Sequence, residues 1–154
     1  MKSSLINVSL MVVLAVLIAH PGYTENASGE LKLVFLIDFD DFMCFSCLES
    51  FVDFCHALPG DFRKDHCLGV LVYPAGRELQ AGFIQIMEKK LRGFTQANRI
   101  DFPVVIDRPR FFSGRTPTES CVLVFRPGAQ NLEVYPFPLS RKAAGRILAD
   151  ISRR

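Results

Sequence analysis

The sequence shows little excess of either charge and no place where charges of one sign collect. Its 18 lysines and arginines stand against 16 aspartates and glutamates, which leaves a net charge of +2, and the basic residues are scattered along the chain. A basic surface patch is the electrostatic signature of nucleic-acid binding, so the composition does not support a nucleic acid as partner. The chain also lacks internal repeats and low-complexity tracts, which argues against a repeat architecture.

The sequence also has few long apolar runs, and the longest of them lies at the N-terminus. It covers residues 5–19, follows Lys2 and ends before Pro21 and Gly22, which is the pattern of an export signal. With about 15 residues, it is shorter than the roughly 20 that cross a membrane comfortably. The cleavage site is poorly formed because Leu17 stands where a small residue is preferred. A cleaved signal peptide and an uncleaved membrane anchor therefore both stay open.

The rest of the chain is long enough for one domain with a single buried core. We therefore expect residues 1–24 to be a signal peptide or N-terminal membrane anchor, residues 25–30 a linker, and residues 31–154 the folded domain. The domain is expected outside the cytoplasm, where it is periplasmic, secreted, or anchored to the membrane through residues 5–19. No cysteine directly follows the apolar run, which excludes a bacterial lipid anchor.

From residue 31 onward, apolar runs typical of buried strands alternate with amphipathic segments typical of helices. The pattern predicts strands at 33–37, 68–73 and 102–106, a hairpin of strands at 121–125 and 132–135, and helices at 44–58, 76–98 and 141–151. The first part calls for parallel strands with right-handed crossovers, and the hairpin adds antiparallel strands. The order therefore predicts a three-layer α/β domain with a mixed sheet.

Cys44 and Cys47 lie where the first buried strand is expected to give way to a helix. The first sulfur of such a pair is at the helix N-terminus, where unpaired N–H groups and the helix dipole favour a thiolate. The second sulfur, one turn later, can attack a mixed disulfide and release the substrate. The pattern therefore favours a redox-active dithiol, although zinc sites and inert structural bridges use the same spacing.

The segment from Ile37 to Cys47 resembles the thioredoxin family, whose hydrophobic-Asp-Phe-Trp-x-x-Trp-Cys-x-x-Cys motif aligns with it without gaps. Asp40 and Met43 replace the two tryptophans of the motif, the chain contains no tryptophan, and Phe-Ser separates the two cysteines instead of Gly-Pro. These differences affect which substrates bind and how oxidising the dithiol is. The resemblance implies a thioredoxin-like three-layer α/β/α fold with a central mixed sheet and an inserted helix.

The resemblance also assigns a role to Asp38, which occupies the place of a buried carboxylate that moves protons to and from the second cysteine. A carboxylate buried near a thiol has a raised pKa and can transfer protons near neutral pH. The alternative is that Asp38 only ends the strand and caps a turn.

The family further places a cis-proline before a strand, opposite the dithiol, where its backbone pairs with the substrate. Thr116 and Pro117 precede the strand at 121–125 and are similar to the Thr-Pro of extracytoplasmic, membrane-anchored proteins of the TlpA type. The long helix between the second and third strands is similar to the insertion of that branch. The resemblance thus implies that Thr116 and Pro117 bind substrate.

Phenylalanine is abundant, with fourteen in the chain, and most are expected in the core. Phe45, together with Phe42, Phe111 and Phe112, is a candidate for an apolar surface around the dithiol that accepts partner chains. We therefore include Phe45 among the substrate-binding residues.

The other three cysteines leave two alternatives open. A bridge between Cys55 and Cys67 would close a short loop, with Cys121 as a small buried hydrophobe, or all three are buried thiols. His56 and His66 suggest metal ligation beside thiolates, but they are more typical of surface or loop histidines. We expect no metal site.

Together these features predict thiol–disulfide exchange on protein cysteines outside the cytoplasm. Cys44 would attack, Cys47 would resolve the mixed disulfide, and no cofactor beyond these sulfurs is needed. Protein thiol or disulfide substrates and a redox partner protein are implied. The alternatives are a copper(I)- or metal-handling protein that uses the same two cysteines, and a non-catalytic interaction domain of the same fold.

The N-terminal pattern generates a first testable prediction. A reporter that works only after export, fused to the C-terminus of the full chain, should be active, because the apolar run ends well before the folded domain. The matched control deletes residues 2–24 and should abolish that activity. Activity of a reporter that works only in the cytoplasm would contradict export.

Overall fold

The computed structural model describes residues 30–113, 119–127 and 132–153. The strands are β1 (Lys32–Ile37), β2 (Cys67–Leu71), β3 (Val104–Ile106), β4 (Cys121–Phe125) and β5 (Glu133–Pro136). The helices are α1 (Phe45–Ala57), α2 (Gly60–His66), α3 (Phe83–Ala97) and α4 (Arg141–Ser152). Within the described residues, no helix is long and apolar enough to cross a bilayer.

The five strands form one mixed sheet in the order β3-β2-β1-β4-β5. β1 pairs in parallel with β2, and β2 in parallel with β3, whereas β4 is antiparallel to both β1 and β5. The central strand is buried on both faces from Leu33 to Ile37, which is why it reads as a continuous apolar run. The α/β class, the mixed sheet and the thioredoxin-like order of elements that the sequence predicted are confirmed.

The larger hydrophobic cluster lies between the sheet and the helices. Phe35 of β1 is fully buried there, stacked on Phe102 with ring centroids 5.1 Å apart and edge-on to Phe51 of α1 at 5.7 Å. Helices α3 and α4 add Met87 and Ile147 to the same cluster. Aromatic pairs contribute about 0.5–1.5 kcal/mol each beyond the area that they bury. These contacts therefore fix how α1 lies across the central strand.

The opposite face of the sheet carries a smaller buried cluster. Its members are Val34, Leu36, Leu68, Val70, Cys121 and Leu123. Half-buried residues of strands and loops pack against it, and no helical residue of the described ranges belongs to it. The described helices therefore all pack on the first face, so the second helical layer of the predicted three-layer arrangement is not found among the described residues.

The helix predicted at 76–98 is divided in the structure. A 3-10 turn covers Arg77–Leu79, and α3 begins only at Phe83. Gly76 and Gly82 have φ angles of 84° and 75°, a left-handed conformation that interrupts a right-handed helix and that glycine adopts readily. The inserted helix itself is present as α3, between β2 and β3.

The short helix α2 was not expected, because Pro59 and Gly60 indicated the end of a helix. Arg63 of α2 donates from Nη1 to the carbonyl oxygens of Cys55 and Leu58, at 3.2 and 3.1 Å. Carbonyl groups at a helix C-terminus have no partner within the helix. The side chain of Arg63 therefore satisfies the end of α1 and holds α2 against it.

The close approach of β2 and β3 generates a second prediction. Gly69 pairs with Val104 across the two strands, and a Cβ atom on Gly69 would lie 2.8 Å from Val104 Cγ1. Gly69→Ala should therefore destabilise the fold by about 1–3 kcal/mol, measured by urea unfolding. Adding Val104→Ala should reduce that cost relative to the sum of the two single variants.

The matched control is Gly93→Ala in α3, where a Cβ atom would meet nothing within 4 Å. Alanine is favoured over glycine inside a helix by about 0.5–1 kcal/mol, so this variant should be as stable as the wild type or more stable. Equal effects of the two substitutions would contradict the packing argument.

Candidate active site

The chain reaches the dithiol through a short turn at the end of β1. A 3-10 turn at Asp41–Met43 follows the strand, and Cys44 is the N-cap of α1, with φ −79° and ψ 113°. The backbone N–H of Cys44 donates to the carbonyl oxygen of Asp41 at 3.1 Å. The structure thus places the first cysteine at the strand-to-helix junction, as the sequence predicted.

Cys44 is exposed, and its Sγ lies 3.1 Å from Ser46 Oγ. This hydroxyl, followed by the backbone N–H of Cys47, lowers the pKa of Cys44 to about 7. The side chain of Cys44 makes no capping hydrogen bond to an N–H of α1, and the Ser46 hydroxyl is the main cause of the lowered pKa. A pKa near 7 makes about half of the thiol ionised at neutral pH.

Cys47 lies one turn into α1 and is half-buried. Its Sγ is 3.7 Å from the carbonyl oxygen of Phe137, to which the thiol donates. Burial raises the pKa of Cys47, and the sulfur of Cys44 raises it further. Cys47 is therefore a protected thiol beside a reactive one.

Asp38 follows β1 directly and is half-buried. Its Oδ1 accepts a hydrogen bond from the backbone N–H of Asp40 at 2.9 Å, so the carboxylate caps the turn after the strand. Burial raises the pKa of Asp38, partly offset by the hydrogen bond from Asp40. Its role in proton transfer stays a prediction.

Two exposed apolar side chains flank Cys44. Met43 is 87% exposed and Phe45 is 74% exposed, whereas Phe42 is buried and stacks on Phe94 with centroids 5.8 Å apart. The hypothesis that Phe42 lines the apolar surface is therefore wrong, because its ring belongs to the core. The exposure of Met43 beside Cys44 was not predicted, because this residue was interpreted only as the replacement of a tryptophan.

The predicted substrate-binding residues Thr116 and Pro117 lie outside the described residues. A cis peptide bond is present at Phe137–Pro138, in the loop that contacts Cys47. The backbone N–H of Leu139 donates to Ser50 Oγ of α1 at 2.8 Å. This loop was not identified from the sequence, since nothing local to it marks a contact 90 residues away from Cys47.

All five cysteines are within the described residues and are thiols in the structure. Burial raises the pKa of Cys67 and of Cys121 to about 12 and raises that of Cys55 well above its ordinary value. Such thiols are poor nucleophiles. Among the five thiols, Cys44 is thus the one whose pKa is lowered.

The two histidines that were considered as metal ligands make their contacts with groups other than the dithiol. His56 Nε2 is 2.9 Å from the carbonyl oxygen of Asn98, and His66 Nδ1 is 3.6 Å from a carboxylate oxygen of Glu30. Among the residues that the structure describes, no three histidines, cysteines or carboxylates are grouped to hold a metal ion.

No model of a known family matches the chain, and no curated protein matches it. Among solved structures, it is similar to the crystal structure of StoA from Bacillus subtilis, with 14% identity over 79% of this chain and 81% of that chain and a TM-score of 0.45. The strand order and connections of the chain itself show that it has a thioredoxin-like α/β fold.

Proposed function

We propose that the protein is a thiol–disulfide oxidoreductase that acts on the cysteines of other proteins outside the cytoplasm. The observation that carries this proposal is the difference between the two sulfurs of the dithiol. The pKa of the exposed Cys44 is lowered to about 7, whereas that of the half-buried Cys47 is raised. Such a pair suits exchange, because the accessible thiolate attacks and the protected thiol resolves.

In the reducing direction, the Cys44 thiolate attacks one sulfur of a substrate disulfide and releases the other sulfur as a thiolate, which takes a proton from solvent. Cys47 then attacks Cys44 in the mixed disulfide. The bond between Cys44 and the substrate breaks, the Cys44–Cys47 bond forms, and the proton of Cys47 passes to the departing substrate thiolate. The substrate gains two electrons, so a redox partner protein has to reduce the Cys44–Cys47 disulfide again.

The surroundings of Cys44 favour a protein substrate. Met43 and Phe45 provide apolar surface on both sides of the reactive sulfur, and surface of this kind suits extended or unfolded segments. In this proposal Thr116 and Pro117 bind the substrate backbone and Asp38 assists proton transfer, as the sequence resemblance implies.

The place of action is argued from the sequence and the inserted elements. The N-terminal apolar run has the pattern of an export signal, and α3 with β3 extends the minimal fold between β2 and β4. Both features favour the extracytoplasmic, TlpA-like branch. An oxidising compartment also lets disulfides persist as substrates.

The lowered pKa of Cys44 generates a third prediction. In the reduced protein, iodoacetamide should modify Cys44 first, with a half-maximal rate near pH 7, because only the thiolate reacts. Mass mapping of the alkylated peptides measures the order of modification. Ser46→Ala should move the half-maximal rate to higher pH, since it removes the first-named cause of the lowered pKa. A Cys44 that reacts no faster than Cys47 would contradict the asymmetry.

The fourth prediction tests the proposed function itself. Cys47→Ser should accumulate a mixed disulfide through Cys44 with a disulfide-bonded protein substrate, and Cys44→Ser should abolish exchange, as measured by gel shift and by substrate reduction. Cys121→Ser is the control. The Cys121 thiol is fully buried in β4, so this variant should retain exchange activity. Exchange that persists in Cys44→Ser would overturn the proposal.

Two other outcomes would identify the alternatives. Absence of exchange with stoichiometric copper(I) in protein purified under reducing conditions would favour metal handling. Absence of both would favour a non-catalytic interaction domain.

A further inference from the structure

Ser120 is a buried serine that precedes β4 and contacts the turn before the dithiol. Its hydroxyl accepts from the backbone N–H of Asp38 at 2.8 Å and lies 3.3 Å from the carbonyl oxygen of the same residue. Only 1% of Ser120 is exposed. The side chain thus fixes the end of β1 from across the sheet.

The backbone of Ser120 joins Asp41 to the loop beside Cys47. Its N–H donates to Asp41 Oδ2 at 2.5 Å, and its carbonyl oxygen accepts from the N–H of Phe137 at 3.0 Å. The carbonyl oxygen of Phe137 in turn accepts from Cys47 Sγ. Three consecutive hydrogen bonds, through the backbones of Ser120 and Phe137, therefore connect the carboxylate of Asp41 to the sulfur of Cys47.

The titratable groups that act on Cys47 come from two elements. Cys44 is the N-cap of α1, and Asp41 lies in the 3-10 turn before it. The carboxylate of Asp38 accepts from the N–H of Asp40. The loop at 137–139 has no titratable side chain.

We propose that Asp41, held by the backbone of Ser120, is a positioning residue for the resolving thiol of Cys47. The inference rests on the proposed function only in taking Cys47 as the resolving cysteine. The hydrogen bonds fix the distance between a negative charge and the Cys47 sulfur, and a negative charge opposes ionisation of a neighbouring thiol. In agreement, the pKa of Cys47 is raised first by burial, then by the hydrogen bond and charge of Cys44, and then by the charge of Asp41.

The consequence for exchange is a thiol that stays protonated and directed at the Phe137 carbonyl until the mixed disulfide forms. When Cys47 attacks Cys44, its proton is transferred to the departing substrate thiolate. Without the negative charge at Asp41, Cys47 ionises more readily, so the difference between the two sulfurs becomes smaller.

The experiment compares isosteric carboxamide variants in a Cys44→Ser background, where Cys47 is the remaining accessible thiol. Asp41→Asn keeps an acceptor for the Ser120 N–H but removes the charge. It should increase the rate at which iodoacetamide modifies Cys47 at pH 7 by about two- to five-fold, the range of a partly exposed charge pair. The pH profile of the rate should move to lower pH by the corresponding amount.

Asp40→Asn is the matched control, because it removes the same charge from an exposed neighbour that makes no contact in this chain of hydrogen bonds. This variant should change the Cys47 rate less than Asp41→Asn does. An unchanged rate in Asp41→Asn, or an equal rate increase in Asp40→Asn, overturns the proposal.

A salt titration provides a second, independent measurement of the effect of the Asp41 charge. In the Cys44→Ser protein, raising the ionic strength from about 0.05 M to about 1 M should increase the Cys47 rate, because salt screens partly exposed charges. The same change should have little effect in Asp41→Asn. Equal salt effects in both proteins would overturn the proposal, even if the Asp41 variant were less stable.

These measurements need no exchange partner. A chain in which Asp41→Asn accelerates the modification of Cys47, but which fails to exchange disulfides, would refute the proposed function and the resolving role of Cys47, and would leave standing the effect of Asp41 on the Cys47 thiol.

Discussion

The central strand β1 has to be paired along both edges and buried on both faces, and the position of the dithiol depends on this constraint. From Leu33 to Ile37 every residue is buried, between β2 on one side and β4 on the other. Asp38 is the first carboxylate after this run and stands where the chain leaves the sheet. The chain turns there, and α1 returns across the ring of Phe35. The N-terminus of α1, with Cys44, therefore lies at the end of the sheet.

The same packing gives the two sulfurs their different environments. Phe51 and Phe54 bury one side of α1 against Phe35, and Cys47, one turn from the helix start, packs against the core that they form. Cys44 precedes the first turn and has no such contact. Burial raises the pKa of Cys47, whereas the hydrogen bond with the Ser46 hydroxyl, followed by the backbone N–H of Cys47, lowers the pKa of Cys44. The asymmetry thus follows from helix position.

The sequence allowed the strands, the mixed sheet and the junction with Cys44 and Cys47 to be predicted, because apolar runs and a C-x-x-C motif are local patterns. The division of the helix before Phe83 was not predicted, since the apolar stripe continued across Gly82 and gave no sign of its left-handed φ. The contacts of Ser120 were out of reach for a different reason. They join residues about 80 positions apart, and a single sequence carries no record of such pairs.

The polar contacts at the end of the sheet have a structural origin that explains their effect on the dithiol. β1 ends before Asp38, β4 begins after Ser120, and β5 ends before Phe137, so each segment has backbone groups beyond the reach of strand pairing. A buried backbone group without a partner costs about 1–3 kcal/mol.

At Ser120 the N–H is satisfied by the carboxylate of Asp41 and the carbonyl by the N–H of Phe137. A neutral acceptor would satisfy the N–H as well, but a carboxylate also brings a negative charge close to Cys47. In the mechanism that we propose, the group that completes the hydrogen bonding of the sheet end therefore also adds to the effect of burial in opposing ionisation of the Cys47 thiol. The charge of Asp41 can therefore be removed while its hydrogen bond to Ser120 is kept, so the two contributions of this residue can be separated.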